Sequence, residues 1–313
     1  MRRLLGSFTI GLLSLTAASI NADNCCCPER SCLWGYESSS CHVTPVTECM
    51  NLSIGAGYRQ DSIKWSRAGA AGFPNIADEQ KWKHLRIFDM QIVADYHFCH
   101  HFFVWGKGDY GNVYKGKHED TTYAGNNRTL LLTDTIAKTT KSHVYDYSGA
   151  LGYDWVMCGG QWVLSPMVGY SQHGQHLKSH DPGSDTYRAN WTGPWAGAMF
   201  HLQPICGWIF AGGAEYHWAR YKASGESLTE DYRQRSHADG VVANLSASFF
   251  TACGWVFDIS TSWQQWKTRH NGTHKDITTA ALDGATVQLF TDYTLNHVKW
   301  TSWNVIVSGT LQF

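Results

Sequence analysis

The chain closes on VKWTSWNVIVSGTLQF, residues 298–313. Counting back in twos from Phe313 gives Leu311, Gly309, Val307, Val305 and Trp303, with Gln312, Thr310, Ser308, Ile306 and Asn304 between them. Apolar residues recur with a period of two, the repeat at which side chains alternate across a strand. One face of this strand is apolar and the other mostly polar. Such a strand either buries its apolar face in a soluble core or turns it to lipid, and the rest of the chain decides which.

The other end bears on that choice. Arg2 and Arg3 precede an apolar run over 4–15, followed by the small residues Ala17, Ala18 and Ser19. This is the layout of a secretory signal peptide, with cleavage expected after Ser19 or Ala22, so that 1–22 is the leader. No later stretch reaches the ~18 apolar residues that a spanning helix needs. An exported chain of this kind can cross a membrane only as a closed barrel, because an open sheet leaves backbone groups unpaired in lipid.

Composition fits the barrel. Mean hydropathy is −0.32, which by itself reads as soluble. Yet the chain carries 15 Trp, 15 Tyr and 13 Phe, and aromatics in such numbers suit two interfacial girdles. A net charge of −1 argues against nucleic acid as a partner. There is no nucleotide loop and no helical heptad, and neither cofactor nor metal is expected.

Alternating segments recur over 50–60, 82–96, 102–114, 142–155, 161–171, 191–202, 207–222, 237–250, 254–268 and 298–313. That makes about ten strands of an all-β, antiparallel, up-and-down transmembrane barrel over 50–313, an even number as single-chain bacterial barrels have. Two more strands could lie in TLLLTDT (129–135) and ATVQLFTDY (285–293), giving twelve. The connections alternate short (HFCHH, MCGG, QPIC, TACG) and long (61–81, 115–141, 172–190, 223–236, 269–297). Short turns belong on the periplasmic side and long loops outside. A soluble sandwich or lipocalin-like barrel would not sort its loops by length so regularly.

With the apolar rows facing lipid, Asp89, Gln91, Asp95, Lys107, Asp109, Asp146, Asp154, Glu215, His217, Asp258 and Gln264 face a wet lumen. Carboxylates dominate that set, and rings of carboxylates favour cations in a pore. Arg59 is expected near the outer mouth. The plainer reading is that these groups pair internally and fill a narrow barrel, since eight strands are filled by side chains and 16–18 leave a channel. His173, His176 and His180 have the spacing of metal ligands on a helix, but fall in a segment read as a solvated loop.

Cys25, Cys26, Cys27, Cys32, Cys41 and Cys49 lie in the segment 23–49, read as a cysteine-rich periplasmic region. Cys99, Cys158, Cys206 and Cys253 each fall in one of the four short turns. All ten are therefore expected on the oxidising periplasmic side, as disulfides. Bonds within the chain, bonds to other copies or cysteine-rich envelope proteins, and a metal site are the competing readings. Adjacent cysteines are too strained to pair with each other, and a mixture with some intermolecular bonds is expected.

An export signal, a cysteine-studded periplasmic face and a terminal Phe resemble outer-membrane proteins of the Chlamydiales, whose envelope is cross-linked by disulfides. GYRQDSIKW, LRIFDM, GKGDYGNVYKGK, SHVYDYSGALGY, PMVGYSQHGQHLK, YRANWTGPWAG, EYHWARYK and HVKWTSWNVIVSGTLQF are more closely similar to the Pom porins of amoeba-associated chlamydiae, over about 50–313. The resemblance implies passive diffusion of small hydrophilic solutes across the outer membrane and no catalytic residues. It also implies that Phe313 is read by the barrel assembly machinery, and that outer-membrane lipid is the surrounding partner. The strand count and the PMVGYSQ, GPWAGAMF and AGGAEYHWARY succession also resemble omptins, ten-stranded outer-membrane proteases. Omptins need an aspartate pair on one extracellular strand end and an Asp–His pair opposite. The chain has no Asp-x-Asp; His237 with Asp239, and Asp231 nearby, are the nearest substitute at an outer strand end. The implied chemistry is therefore not enzymatic, with an omptin-like protease or a non-conducting structural or adhesive barrel as the alternatives.

Overall fold

Residues 49–98, 101–157, 161–180, 185–205, 207–226, 231–251, 255–269, 272–282 and 285–312 are described by the computed structural model. The segment expected as a leader, the cysteines other than Cys49, and Phe313 lie outside these residues, and with them the disulfide and assembly-signal expectations.

The chain runs through β1 (Cys49–Arg67), β2 (Asp78–Phe98), β3 (Phe102–Gly125), β4 (Thr129–Thr139), β5 (Ser142–Tyr153), β6 (Trp155–Met157), β7 (Trp162–His180), β8 (Thr186–Ile205), β9 (Trp208–Glu226), β10 (Asp231–Phe250), β11 (Val256–Thr268), β12 (Gly272–Leu282) and β13 (Ala285–Gln312). Every pairing is antiparallel, and β1 pairs with both β2 and β13, so the sheet closes. The thirteen segments are ten ring strands. β3 pairs with β5 over its lower half and with β4 over its upper half, so β4, β5 and β6 are one descending strand broken near Lys141 and Asp154. β13 likewise pairs with β11 below and β12 above.

This resolves the twelve-strand alternative. TLLLTDT and ATVQLFTDY do form strands, but as upward continuations of ring strands. The stretches expected as long outer loops are largely strand as well. A membrane crossing takes about 9–11 residues, whereas β13 has 28 and β3 has 24. The sheet therefore stands well above the membrane on the side opposite the short turns. Its tips interlock: Asn75 exchanges hydrogen bonds with Asn126 and Asn127 at 2.7–2.8 Å, and Arg128 chelates Glu79 at 3.0 and 3.1 Å. Burial alone would raise the Glu79 carboxyl, but the hydrogen bonds and charges of Arg128 and Lys81 outweigh it and hold it at about 2.

The outer surface carries a belt of exposed apolar side chains. It includes Ile54, Phe88, Met90, Ile92, Val168, Leu245, Ile259 and Val307. Rings border it on both sides: Tyr58, Tyr110, Tyr170, Trp218, Trp263 and Trp303 above, and Tyr96, Phe102, Trp155, Trp162, Trp208 and Trp255 below. This is the banded exterior of a membrane barrel.

Candidate functional site

All eleven polar side chains read as lumen-facing point into the barrel interior, where they lie at two levels. Nearest the periplasm, Asn51 donates to Asp95 at 2.7 Å and His97 bridges Asp95 and Asp154 at 3.1 and 3.2 Å. Ser165 donates to Asp154 at 2.6 Å. Asp258 accepts from Ser248 at 2.9 Å and from Ser308 at 3.3 Å.

The middle level is a network spanning the lumen. Arg59 is not at the outer mouth; it is 1% exposed at mid-height. Its Nε reaches Asp61 at 2.9 Å, and its Nη1 crosses the barrel to Asp146 at 2.7 Å. Asp146 also binds His173 Nδ1 at 3.0 Å and accepts from Gln264 at 3.3 Å. Beside it Lys107 pairs with Asp109 at 3.0 Å, Gln91 donates to Asp109 at 2.8 Å, and His217 pairs with Glu215 at 3.0 Å. A small cavity of about 30 Å³ opens here, lined by Lys107, Asp109, Asp146, His173, Glu215 and Gln264 among others. Asp89 is 0% exposed, and neither of its carboxylate oxygens accepts a hydrogen bond from the described residues.

Above this level the wet lumen expected from the sequence ends. Trp65, Trp82, Trp191, Trp266 and Trp300 are each at most 1% exposed and fill the interior with Ile63, Leu85, Ile87, Tyr187 and Tyr221. Trp266 stacks on Trp300 at 5.9 Å, and Trp191 lies 6.0 and 6.3 Å from the two. A ring of ten strands is narrow enough for side chains to meet across it. Opposite Trp266 the wall is Gly240, where an added Cβ would collide with the indole. The plug is tied to the charged level beneath it: Trp300 Nε1 donates to Asp61 at 3.1 Å and Trp266 Nε1 to Gln264 at 3.0 Å.

The histidine triplet does not converge. Residues 162–180 are strand, so His173 points inward and His176 and His180 outward. His237 and Asp239 face outward too, and Asp239 is held by Arg269 at 2.7 Å. What sequence spacing could not show is a polar cluster inside the upper barrel. His274 pairs with Asp276 at 2.7 Å, and Arg67 reaches both Asp276 and Asp78 at 3.3 Å. Asp120, on the neighbouring strand, is pushed up to about 8 by burial and by the nearby Asp78 and Asp185. His274 is 1% exposed beneath Tyr232 and Trp65, so this set holds acid and imidazole groups in a closed core rather than a cleft.

One sign of the plug was available in the sequence. On β1 the apolar row is Leu52, Ile54, Ala56 and Tyr58, then changes phase to Ile63 and Trp65. On β13 it changes from Val298 and Trp300 to Trp303, Val305 and Val307. A phase change within one strand means that lipid holds the apolar face at one height and the interior holds it at another.

Residues 53–313 match the family described as Protochlamydia outer membrane protein, Pom. The chain belongs to the Pom family. A search of curated proteins finds no match. Among solved structures, the outer membrane protease OmpT from Escherichia coli superposes with a TM-score of 0.70 at 11% identity, covering 85% of this chain and 97% of that one. The transport unit of the autotransporter AIDA-I from Escherichia coli aligns at 0.34 and 11% identity over 90% and 93% of the two chains. The translocator domain of NalP from Neisseria meningitidis aligns at 0.33 and 10% over 84% and 88%. At these identities the likeness to OmpT establishes the fold alone. Family and fold together make this Pom chain an integral outer-membrane β-barrel.

Proposed function

We propose that this Pom barrel passes small hydrophilic solutes, cations ahead of anions, through a lumen that the aromatic plug keeps narrow or shut until it moves. The observation that carries the reading is Asp89, a fully enclosed carboxylate at membrane depth without a protein hydrogen bond, amid Arg59, Lys107, Asp109 and Asp146. Ionisable groups at this depth are expensive and mark ion pathways. The same chain builds a dry aromatic interior a few residues higher, so a barrel with only a structural task has an apolar way to fill its lumen. The plug itself favours a second reading, a non-conducting structural or adhesive barrel. Planar-bilayer recording separates the two. Stepwise, cation-preferring conductance of the folded protein is expected; its complete absence, in the protein and in plug-truncated variants alike, would leave the structural barrel.

A further inference from the structure

Above the apolar belt, the outer wall carries lysines directly opposite one another in the ladder. Lys81 pairs with Lys64, Lys64 with Lys299, and Lys299 with Lys267, a row of four cations across β2, β1, β13 and β11. Like charges in directly opposed positions destabilise a sheet. Nearby carboxylates do not balance this row. Glu79 holds Lys81 at 2.8 Å but also Arg128, Glu119 is taken by Lys83 at 2.6 Å, and Asp239, opposite Lys267, is taken by Arg269. Lys64, Lys267 and Lys299 have no carboxylate within 4.0 Å among the described residues. His297, on the same face, is lowered from its ordinary value by burial and by Lys64 and Lys267, with Glu79 opposing.

The row borders a hollow. Between Asp61 and Ile63 the β1–β2 register shifts, and Lys83 and His84 bulge out opposite Ser62, with His84 at φ 51°. A hollow of about 300 Å³, open to solvent, lies there, lined by Ser62, Lys64, Lys81, Lys83, His84 and Lys299 among others. Its height fixes the kind of ligand. Lys299 and Lys267 stand four residues beyond Trp303 and Trp263, and Lys64 six beyond Tyr58. At ~3.3 Å per residue and a tilt of about 40° that is ~10–15 Å above the aromatic border, the level of headgroups. The described outward-facing Lys and Arg all lie on this side of the belt.

We propose that the Lys81–Lys64–Lys299–Lys267 row and its hollow bind the phosphate groups of an outer-leaflet glycolipid. Ammonium groups on adjacent strands would share the phosphate oxygens in charge-assisted hydrogen bonds, and the anion would remove the repulsion built into the row. The site is independent of conduction, so its failure leaves the channel reading untouched.

The test uses the folded full-length barrel in neutral detergent, titrated with diphosphorylated lipid A, dephosphorylated lipid A and inorganic phosphate. The diphosphorylated lipid should bind and raise Tm, and Lys64→Gln with Lys299→Gln should weaken it about tenfold or more. Arg233→Gln with Arg235→Gln removes the same charge elsewhere on the collar and should change affinity less than about twofold. Without lipid, the double lysine variant should melt no lower than the parent, because it relieves repulsion; a purely structural role for the lysines predicts a lower Tm. Equal weakening in both double variants, equal binding of dephosphorylated lipid, or equal binding of inorganic phosphate would each overturn the proposal. If the lysine pair fails to show heat-modifiable folding, Lys267→Gln alone carries the same readout.

Discussion

The two halves of the lumen share strands, diameter and backbone, yet are filled by opposite chemistry. The periplasmic half holds Asp89, Asp95, Asp109, Asp146, Asp154, Glu215 and Asp258 with few cations. The extracellular half holds five of the largest side chains the chain possesses, packed ring on ring. The outer surface reverses in step: apolar beside the charged half, cationic beside the aromatic half. Lipid supplies the apolar environment at one height, and where the strands leave it, the apolar side chains turn inward to find each other. The aromatic half is thus a soluble-type core stacked on a membrane-type barrel.

The largest expected effect comes from erasing that contrast. Trp266→Ala with Trp300→Ala removes the stacked pair at the base of the plug. Each truncation of a buried Trp costs about 3–5 kcal/mol, which the closed ladder can absorb in part. Single-channel conductance should rise several-fold over the parent. An unchanged trace, with folding verified by gel mobility, would show that the barrier lies elsewhere.

Next is the joint between the halves. Asp146→Asn leaves Arg59 buried with one fewer anionic partner, and breaking a buried pair typically costs about 3–5 kcal/mol. Thermal stability should fall clearly, and Asp146→Asn with Arg59→Gln should recover part of the loss. Lack of any coupling between the two substitutions would mean that the cross-lumen bridge does not hold the barrel.

Selectivity is the subtler readout of the charged half. Asp89→Asn should lower cation preference, measured as a smaller reversal potential under a salt gradient, with little change in Tm. A preference for anions in the parent would contradict the acidic-lumen reading outright.

The last readout, a slope with pH rather than a change at one condition, belongs to the upper half. Burial and the neighbouring Asp78 and Asp185 push Asp120 up to about 8 in the folded barrel, against about 3.9 unfolded. The folded state therefore holds the extra proton between those values, and stability falls as pH rises from about 4 to 8. Asp120→Asn should flatten this slope in a Tm-versus-pH series. A parallel slope in parent and variant would assign it to other groups.

How much of this was legible follows from the same contrast. The ten crossings could be read because lipid enforces a strict alternation, as in Trp303, Val305, Val307, Gly309 and Leu311 against Asn304, Ser308 and Thr310. The tall upper sheet could not, because Ser62, Lys64 and Ser66 on one face and Ile63 and Trp65 on the other break the phase set by Leu52, Ile54 and Tyr58, and the stretch reads as a loop. The lumen carboxylates were legible by parity. Their partners were not: Arg59 finds Asp146 from 87 residues away, and Asp120 finds Asp78 only because β2 and β3 run in a given register.

The sequence alone determined strand class, where the crossings lie and which face of each crossing meets lipid, because these follow from local periodicity and from the length of a membrane crossing. The tertiary structure decided that the lumen closes with Trp191, Trp266 and Trp300, that Arg59 bridges to Asp146, and that four lysines stand in one row. Each of these depends on which strands lie opposite or beside one another at a given height, and that is fixed only when the ladder closes into a ring of one particular size and register.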